Sequence, residues 1–131
     1  MNFDEQIAAR TLWQEARGEP YEGQNAVAHV LLNRLKDGRW GKNLASVCLY
    51  PLQFSGWNAH DPNRLAAAAL ADDDPMLLSL VSILDHAQTE IDPTGGAMWY
   101  FSNSMTKPPP WIHGATYCGQ FGHQKFYKDV H

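Results

Sequence analysis

DEQIAARTLWQEARGEPYEGQNAVAHVLLNRLK, residues 4–36, is written as two helices that meet at a sharp corner. Asp4 and Glu5 stand where a helix N-terminus favours negative charge. Ala8, Thr11, Leu12 and Glu15 then share one face by helical spacing. Arg17-Gly18 stops this first helix, predicted over Asp4–Ala16, and Glu19-Pro20 opens the next, with Pro20 near its first position. The second helix is predicted from about Tyr21 to Lys36. Val27, Val30, Leu31, Arg34 and Leu35 form its stripe, and Asp37-Gly38 ends it.

Outward from that pair, Leu44–Leu49 reads as a short helix, and Tyr50–Pro62, rich in Pro, Gly, Asn and Asp, as an irregular loop. Arg64–Ala71 reads as a short helical piece. Pro75–Glu90 is a third long helix, with Leu77, Leu80, Val81, Leu84 and Ala87 on its apolar face. After Asp92-Pro93-Thr94-Gly95-Gly96 the pattern changes. Ala97–Ser102 and Gln124–Lys128 read as strands, while Lys107–Trp111 (KPPPW) fits neither a helix interior nor a central strand. The fold class is α+β: a helical body followed by a small β-hairpin lobe, in a single domain over residues 1–131.

Composition bounds the function. The chain has 131 residues, 44% hydrophobic and 18% charged, enough for one folded core. No apolar run approaches the roughly 18 residues of a membrane span. The start has neither a basic nor an apolar signal region, so no secretory signal is expected. A net charge of −4 argues against nucleic acid as a partner; a neutral sugar polymer or a small molecule remains. Cys48 and Cys118 stand far apart, outside any CxxC pattern, and free thiols are expected ahead of a disulfide. The five Trp cluster partly in loop-like segments, a first functional hint.

Glu15 is the most informative residue. It continues an apolar stripe, yet it is an acid. A carboxylate in such a place has its pKa raised and holds a proton near neutral pH, as a general acid must. The competing account has Glu15 at a helix end, paired with Arg17 or Arg34. From position alone, pairing outweighs catalysis. Glu19 and Glu22 suit the first turn of the second helix. Arg34, next to Asn33, lies on an apolar stripe and wants a carboxylate partner, with Glu15 or Glu19 the candidates.

Gln53, Phe54, Ser55 and Trp57 place an amide, a hydroxyl and two aromatics in one loop. Gln pairs with sugar hydroxyls and acetamido groups, and aromatic faces stack on sugar rings. A loop merely anchored in the core by its aromatics explains them equally well. On the first strand Tyr100 faces opposite Trp99 and Phe101, so one face is core and the other can line a cleft. The six histidines show no HExxH or HxxEH spacing, and no metal or other cofactor is expected.

Residues 9–24, ARTLWQEARGEPYEGQ, with Ala26-Val27-Ala28 and Asn33-Arg34, closely resemble the cell wall hydrolases of the spore-cortex-lytic (SleB/CwlJ-like) type. Gln53-Phe54-Ser55 with Trp57, and Gly122-His123 with Phe126-Tyr127, fall where that family has its QFSxW loop and GxHxFY strand. The resemblance runs from about Ile7 to Lys128. It implies a lysozyme-like fold that cuts the peptidoglycan glycan strand between N-acetylmuramic acid and N-acetylglucosamine, leaving 1,6-anhydromuramic ends. It also implies Glu15 as the catalytic acid/base. Gln53, Phe54, Ser55, Trp57 and Tyr100 would bind the sugars, with Glu19, Asn33, Arg34 and His123 supporting.

The KPPPW segment and Cys118-Gly119-Gln120 depart from the usual spore proteins. The expected partner is the glycan strand, met by a monomer. Synthesis in the cytoplasm with action at the bacterial wall is expected, in the manner of a phage or prophage endolysin. Two other functions compete: a stem-peptide amidase or peptidase, and a glycan-binding module without catalysis. Amidases usually use zinc, whose ligand spacing is lacking; a mere binder gains nothing from a buried acid.

Overall fold

The structure, a computed structural model, describes residues 1–51, 53–58 and 61–130, and the side chain of Ser55, one of the expected sugar-binding residues, lies outside the described set, as do His60 and His131. Among the described residues five α-helices come in the order α1 (Phe3–Ala16), α2 (Tyr21–Asp37), α3 (Leu44–Leu49), α4 (Pro62–Ala68) and α5 (Pro75–Ala87), followed by β1 (Trp99–Ser102), β2 (Thr116–Phe121) and β3 (Gln124–Lys128).

The helix limits follow local chemistry. Asn2 caps α1 by accepting from the Glu5 N–H at 2.8 Å. Gly38, with φ of 90°, ends α2 in the left-handed conformation and returns its N–H to the Arg34 carbonyl. Asn43 and Ser46 form a reciprocal capping box on α3, while Asp61-Pro62 and Asp74-Pro75 open α4 and α5 with an Asp cap and a Pro in the first turn. Ala8, Leu12, Val27, Val30, Leu31, Leu80 and Leu84 are fully buried where α1, α2 and α5 pack together.

The lobe is a three-stranded antiparallel sheet of order β1-β3-β2, one strand more than the expected hairpin. The two expected strands do pair, Tyr100 opposite Phe126, but the hairpin is β2–β3. β2 escapes sequence pattern because a bulge between Tyr117 and Gly119 breaks its alternation and a glycine sits within it. Lys107–Trp111 lies outside helix and strand except for the single 3₁₀ turn Pro110–Ile112. Phe126, fully buried, carries the inner face of the sheet into the helical core.

Candidate active site

Glu15 lies on the last turn of α1, partly buried. Tyr100 of β1 donates its hydroxyl proton to Glu15 Oε1. Burial pushes the Glu15 carboxyl above its usual range; the Tyr100 hydrogen bond and the Arg34 charge pull it back, and the Asp61 charge adds to the rise. Burial, and then the Glu15 charge, hold the Tyr100 phenol well above 10, so it stays a donor.

Arg34 departs from expectation. It makes no ion pair with Glu15 or Glu19. Its Nε donates to the Met98 carbonyl at 2.7 Å and its Nη1 to Gln53 Oε1 at 3.2 Å. Its guanidinium lies 4.6 Å from the Trp40 ring centre and 5.2 Å from that of Phe54. A guanidinium sandwiched among rings satisfies its flat donors on carbonyl oxygens without a carboxylate. Burial lowers its pKa to about 10, which leaves it charged at neutral pH. Arg17, the other expected partner of Glu15, instead stacks on Trp13 and donates to Asn63.

Asn33 and Arg34 act on β1 together. Asn33 donates to the Ala97 carbonyl at 2.9 Å and to Asp92, while Arg34 takes the next carbonyl, Met98. Two neighbouring α2 side chains therefore grip the backbone that leads into Trp99 and Tyr100. At the far end of the sheet Glu19 accepts from the His123 backbone N–H at 2.7 Å and from His123 Nδ1–H at 2.8 Å. Gly122, with φ of +62°, brings the β2–β3 turn against it; a Cβ there would stand 2.8 Å from Glu19 Oε1. Glu19 and His123 thus fasten the sheet to the α1–α2 corner.

Glu15, Arg34, Gln53, Phe54, Trp99, Tyr100 and Trp111 enclose a cleft of about 360 Å³. Of the expected sugar-binding residues, Gln53, Phe54 and Tyr100 are brought to it. Trp57 is not: its Nε1–H donates to the Thr11 hydroxyl at 2.8 Å and its ring packs on the core. Gly56 presses on the buried Gln14 amide so closely that a Cβ would lie 2.1 Å from Gln14 Oε1. Sequence reasoning missed two residues of the site, Trp99, expected on the face opposite Tyr100, and Trp111. A Trp held by three prolines was the available signal, but only the tertiary fold sets that loop over Glu15.

A hollow of similar size, about 400 Å³, lies between α2 and the α5–β1 connection. Its acids are already engaged. Glu90 accepts from Asn25 and His29, and Asp92 from Asn33, Thr94 and Gly96. The cleft at Glu15 is therefore the better chemical candidate, since its acid is perturbed by burial and meets open space. Both cysteines are free, Cys48 buried with its thiol pushed up to about 12. Among the described residues no group of three or more His, Cys, Asp or Glu is placed to hold a metal ion, and no helix is long and apolar enough to cross a membrane.

Residues 18–127 match the family model described as Cell Wall Hydrolase, a match that begins just past Glu15. The chain is 35% identical over 129 residues to the spore cortex-lytic enzyme of Bacillus subtilis (strain 168), covering 95% of this chain and 37% of that protein. It is 37% identical over 113 residues to the spore cortex-lytic enzyme of Halalkalibacterium halodurans, covering 83% and 30%. The chain spans less than half the length of these curated relatives. Among solved structures it is similar to the catalytic domain of the germination-specific lytic transglycosylase SleB from Bacillus anthracis, with a TM-score of 0.72 and 29% identity over 95% of this chain and 93% of that one. It is also similar to the catalytic domain of the Bacillus cereus SleB protein, with a TM-score of 0.76 and 29% identity over 95% and 89%. The α+β, lysozyme-like fold expected from sequence agrees with these neighbours.

Proposed function

The chain belongs to the cell wall hydrolase family, and from that premise we propose that it cuts the glycan strand of peptidoglycan with Glu15 as a single acid/base. The bond cut joins N-acetylmuramic acid to N-acetylglucosamine, and the product ends in 1,6-anhydromuramic acid. The place of action is the bacterial cell wall.

The observation that carries this reading is a partly buried acid, raised in pKa, hydrogen-bonded by Tyr100 at the wall of an open cleft. Protonated Glu15 gives its proton to the glycosidic oxygen as the bond to C1 of muramic acid breaks. Positive charge develops on the sugar ring, and the Glu15 carboxylate left behind offsets it. The Tyr100 hydroxyl stabilises that carboxylate. Glu15 then takes the proton of the muramic C6 hydroxyl as its oxygen bonds to C1, which closes the anhydro ring and restores the acid.

Ordinary glycosidases use two carboxylates. Among the described residues Glu15 is the only carboxylate lining the cleft. Asp61, whose charge reaches Glu15, caps α4 through the Asn63 N–H. The single-carboxylate route is also supported by the lytic transglycosylase activity named for the Bacillus anthracis neighbour. Gln53 offers its amide nitrogen to sugar oxygens, its own oxygen being taken by Arg34. Trp99 and Trp111 supply stacking faces, and Trp57 holds the loop that carries Gln53 and Phe54.

Mass spectrometry of fragments released from purified peptidoglycan tests this, with Glu15→Gln alongside. Anhydromuramic ends that vanish with the variant are expected. Reducing muramic ends would replace the transglycosylase with a hydrolase, and free stem peptides would overturn the glycosidase altogether.

A further inference from the structure

Strand alternation puts Trp99 and Phe101 on the face of β1 opposite Tyr100, and the Trp99 ring turns back toward the cleft, where it meets Trp40 edge-on at 5.4 Å. Tyr127 of β3 stands opposite Trp99 on one side and opposite Tyr117 of β2 on the other. Residues paired in this way share a face, so three aromatics cross the three strands in one row. The row is packed. Phe101 stacks on Tyr127 with ring centres 5.6 Å apart and planes at 14°, and Trp111 meets Tyr127 edge-on at 5.5 Å. Tyr117 lies 5.4 Å from the same ring.

Packing accounts for Tyr127, only 8% exposed, but not for Tyr117, an aromatic on an edge strand with 55% of its surface open. The row also meets the cleft, which is lined by Trp99 at the row's end and by Trp111, edge-on to Tyr127. Beside it, Lys125 and the exposed Gln120 share the outer face opposite Phe101, adding an ammonium and an amide to the apolar rings. Flat rings flanked by donors are what a sugar chain needs: C–H faces to stack on and hydroxyls to satisfy.

We propose that this outer aromatic face is a glycan-binding track that continues the cleft, with Tyr117 as its distal stacking residue. Its occupant is the stretch of the same glycan strand beyond the sugars flanking the cut bond. The proposal rests on the glycan-cutting function above. It makes the protein a reader of strand length: long strands use the track, and short oligomers reach only the cleft.

Calorimetric binding of stem-free peptidoglycan strands to the Glu15→Gln protein tests the track, comparing a long strand with a tetrasaccharide. The long strand is expected to bind tighter. Tyr117→Ala should lower affinity for it by about three- to tenfold, the scale of one aromatic contact, and shrink the long-to-short ratio by the same factor. Tyr117→Phe should restore the ratio, since stacking needs the ring and not the hydroxyl. An unchanged ratio in Tyr117→Ala, or equal loss for both lengths, overturns the track. Self-association that disappears with Tyr117→Ala while glycan affinity stays constant assigns the face to a second copy instead, and also overturns it. Binding is read in protein that does not cut, so the wrong fragment ends in the mass-spectrometric assay would overturn the chemistry alone. Loss of length dependence would overturn the track alone.

Discussion

The hydroxyl of Tyr100 donates a hydrogen bond to Oε1 of Glu15 across 85 residues of chain. It joins the last turn of the first helix to the first strand, and it opposes the effect of burial. Burial favours the protonated acid, whereas a donor at Oε1 favours the carboxylate. In the mechanism proposed above Glu15 holds a proton before the bond breaks and carries charge after it, so the balance between these two effects would set the working pH.

Tyr100→Phe removes the opposing donor and leaves the ring. Glu15 is then expected to titrate at higher pH. The general acid is active when protonated, so the alkaline limb of kcat/KM against pH should move upward. The carboxylate formed after proton transfer also loses its donor, and kcat should fall about tenfold or more. A pH–rate profile of the variant checks both; an alkaline limb that moves downward would contradict the geometry.

Glu15→Gln should cost activity and raise stability at neutral pH. A group whose folded pKa lies above its unfolded value gives its stabilisation fully below the unfolded pKa and loses it as pH rises through the folded one. Glu15 is such a group. The native protein therefore loses stability relative to the variant from about pH 4 upward. The variant is expected to be about 1 kcal/mol more stable at pH 7 and to lose that margin near pH 3. Urea titrations at the two pH values measure the difference.

How far the sequence revealed this site depends on whether a feature is local. The helices were legible because caps, Pro20 and Gly38 act within a turn or two. Glu15 stood out because an acid breaks an apolar stripe. Its partner did not: Tyr100 is brought by the sheet, which α2 fixes through Asn33 and Arg34. The expected carboxylate for Arg34 proved to be two oxygens, from Met98 and Gln53, because an Arg fork donates to any acceptor the fold presents. β2 was hidden by its bulge, and Trp111 by a proline-rich segment with no period to follow.

Gly122→Ala tests the fastening of the sheet. The new Cβ would meet Glu19 Oε1 at 2.8 Å and Pro20 Cδ at 3.1 Å, in a left-handed conformation that alanine resists. A loss of about 2 kcal/mol is expected, read as a fall in Tm of about 7 °C. The carboxylate that takes two hydrogen bonds from His123 would also be displaced.

Trp57→Phe separates the two accounts of the QFSGW loop. Trp57 commits its indole N–H to the Thr11 hydroxyl, which itself donates to the Ile7 carbonyl at 2.7 Å. Phenylalanine keeps an aromatic face but removes the donor and part of the volume. If Trp57 holds the loop, the variant should lose about 1–2 kcal/mol of stability while KM for glycan stays within about twofold. A Trp that stacked on sugar would give the opposite split, a raised KM with Tm little changed. Thermal melting and saturation kinetics on one preparation therefore decide whether the ring serves the substrate or the loop that carries Gln53.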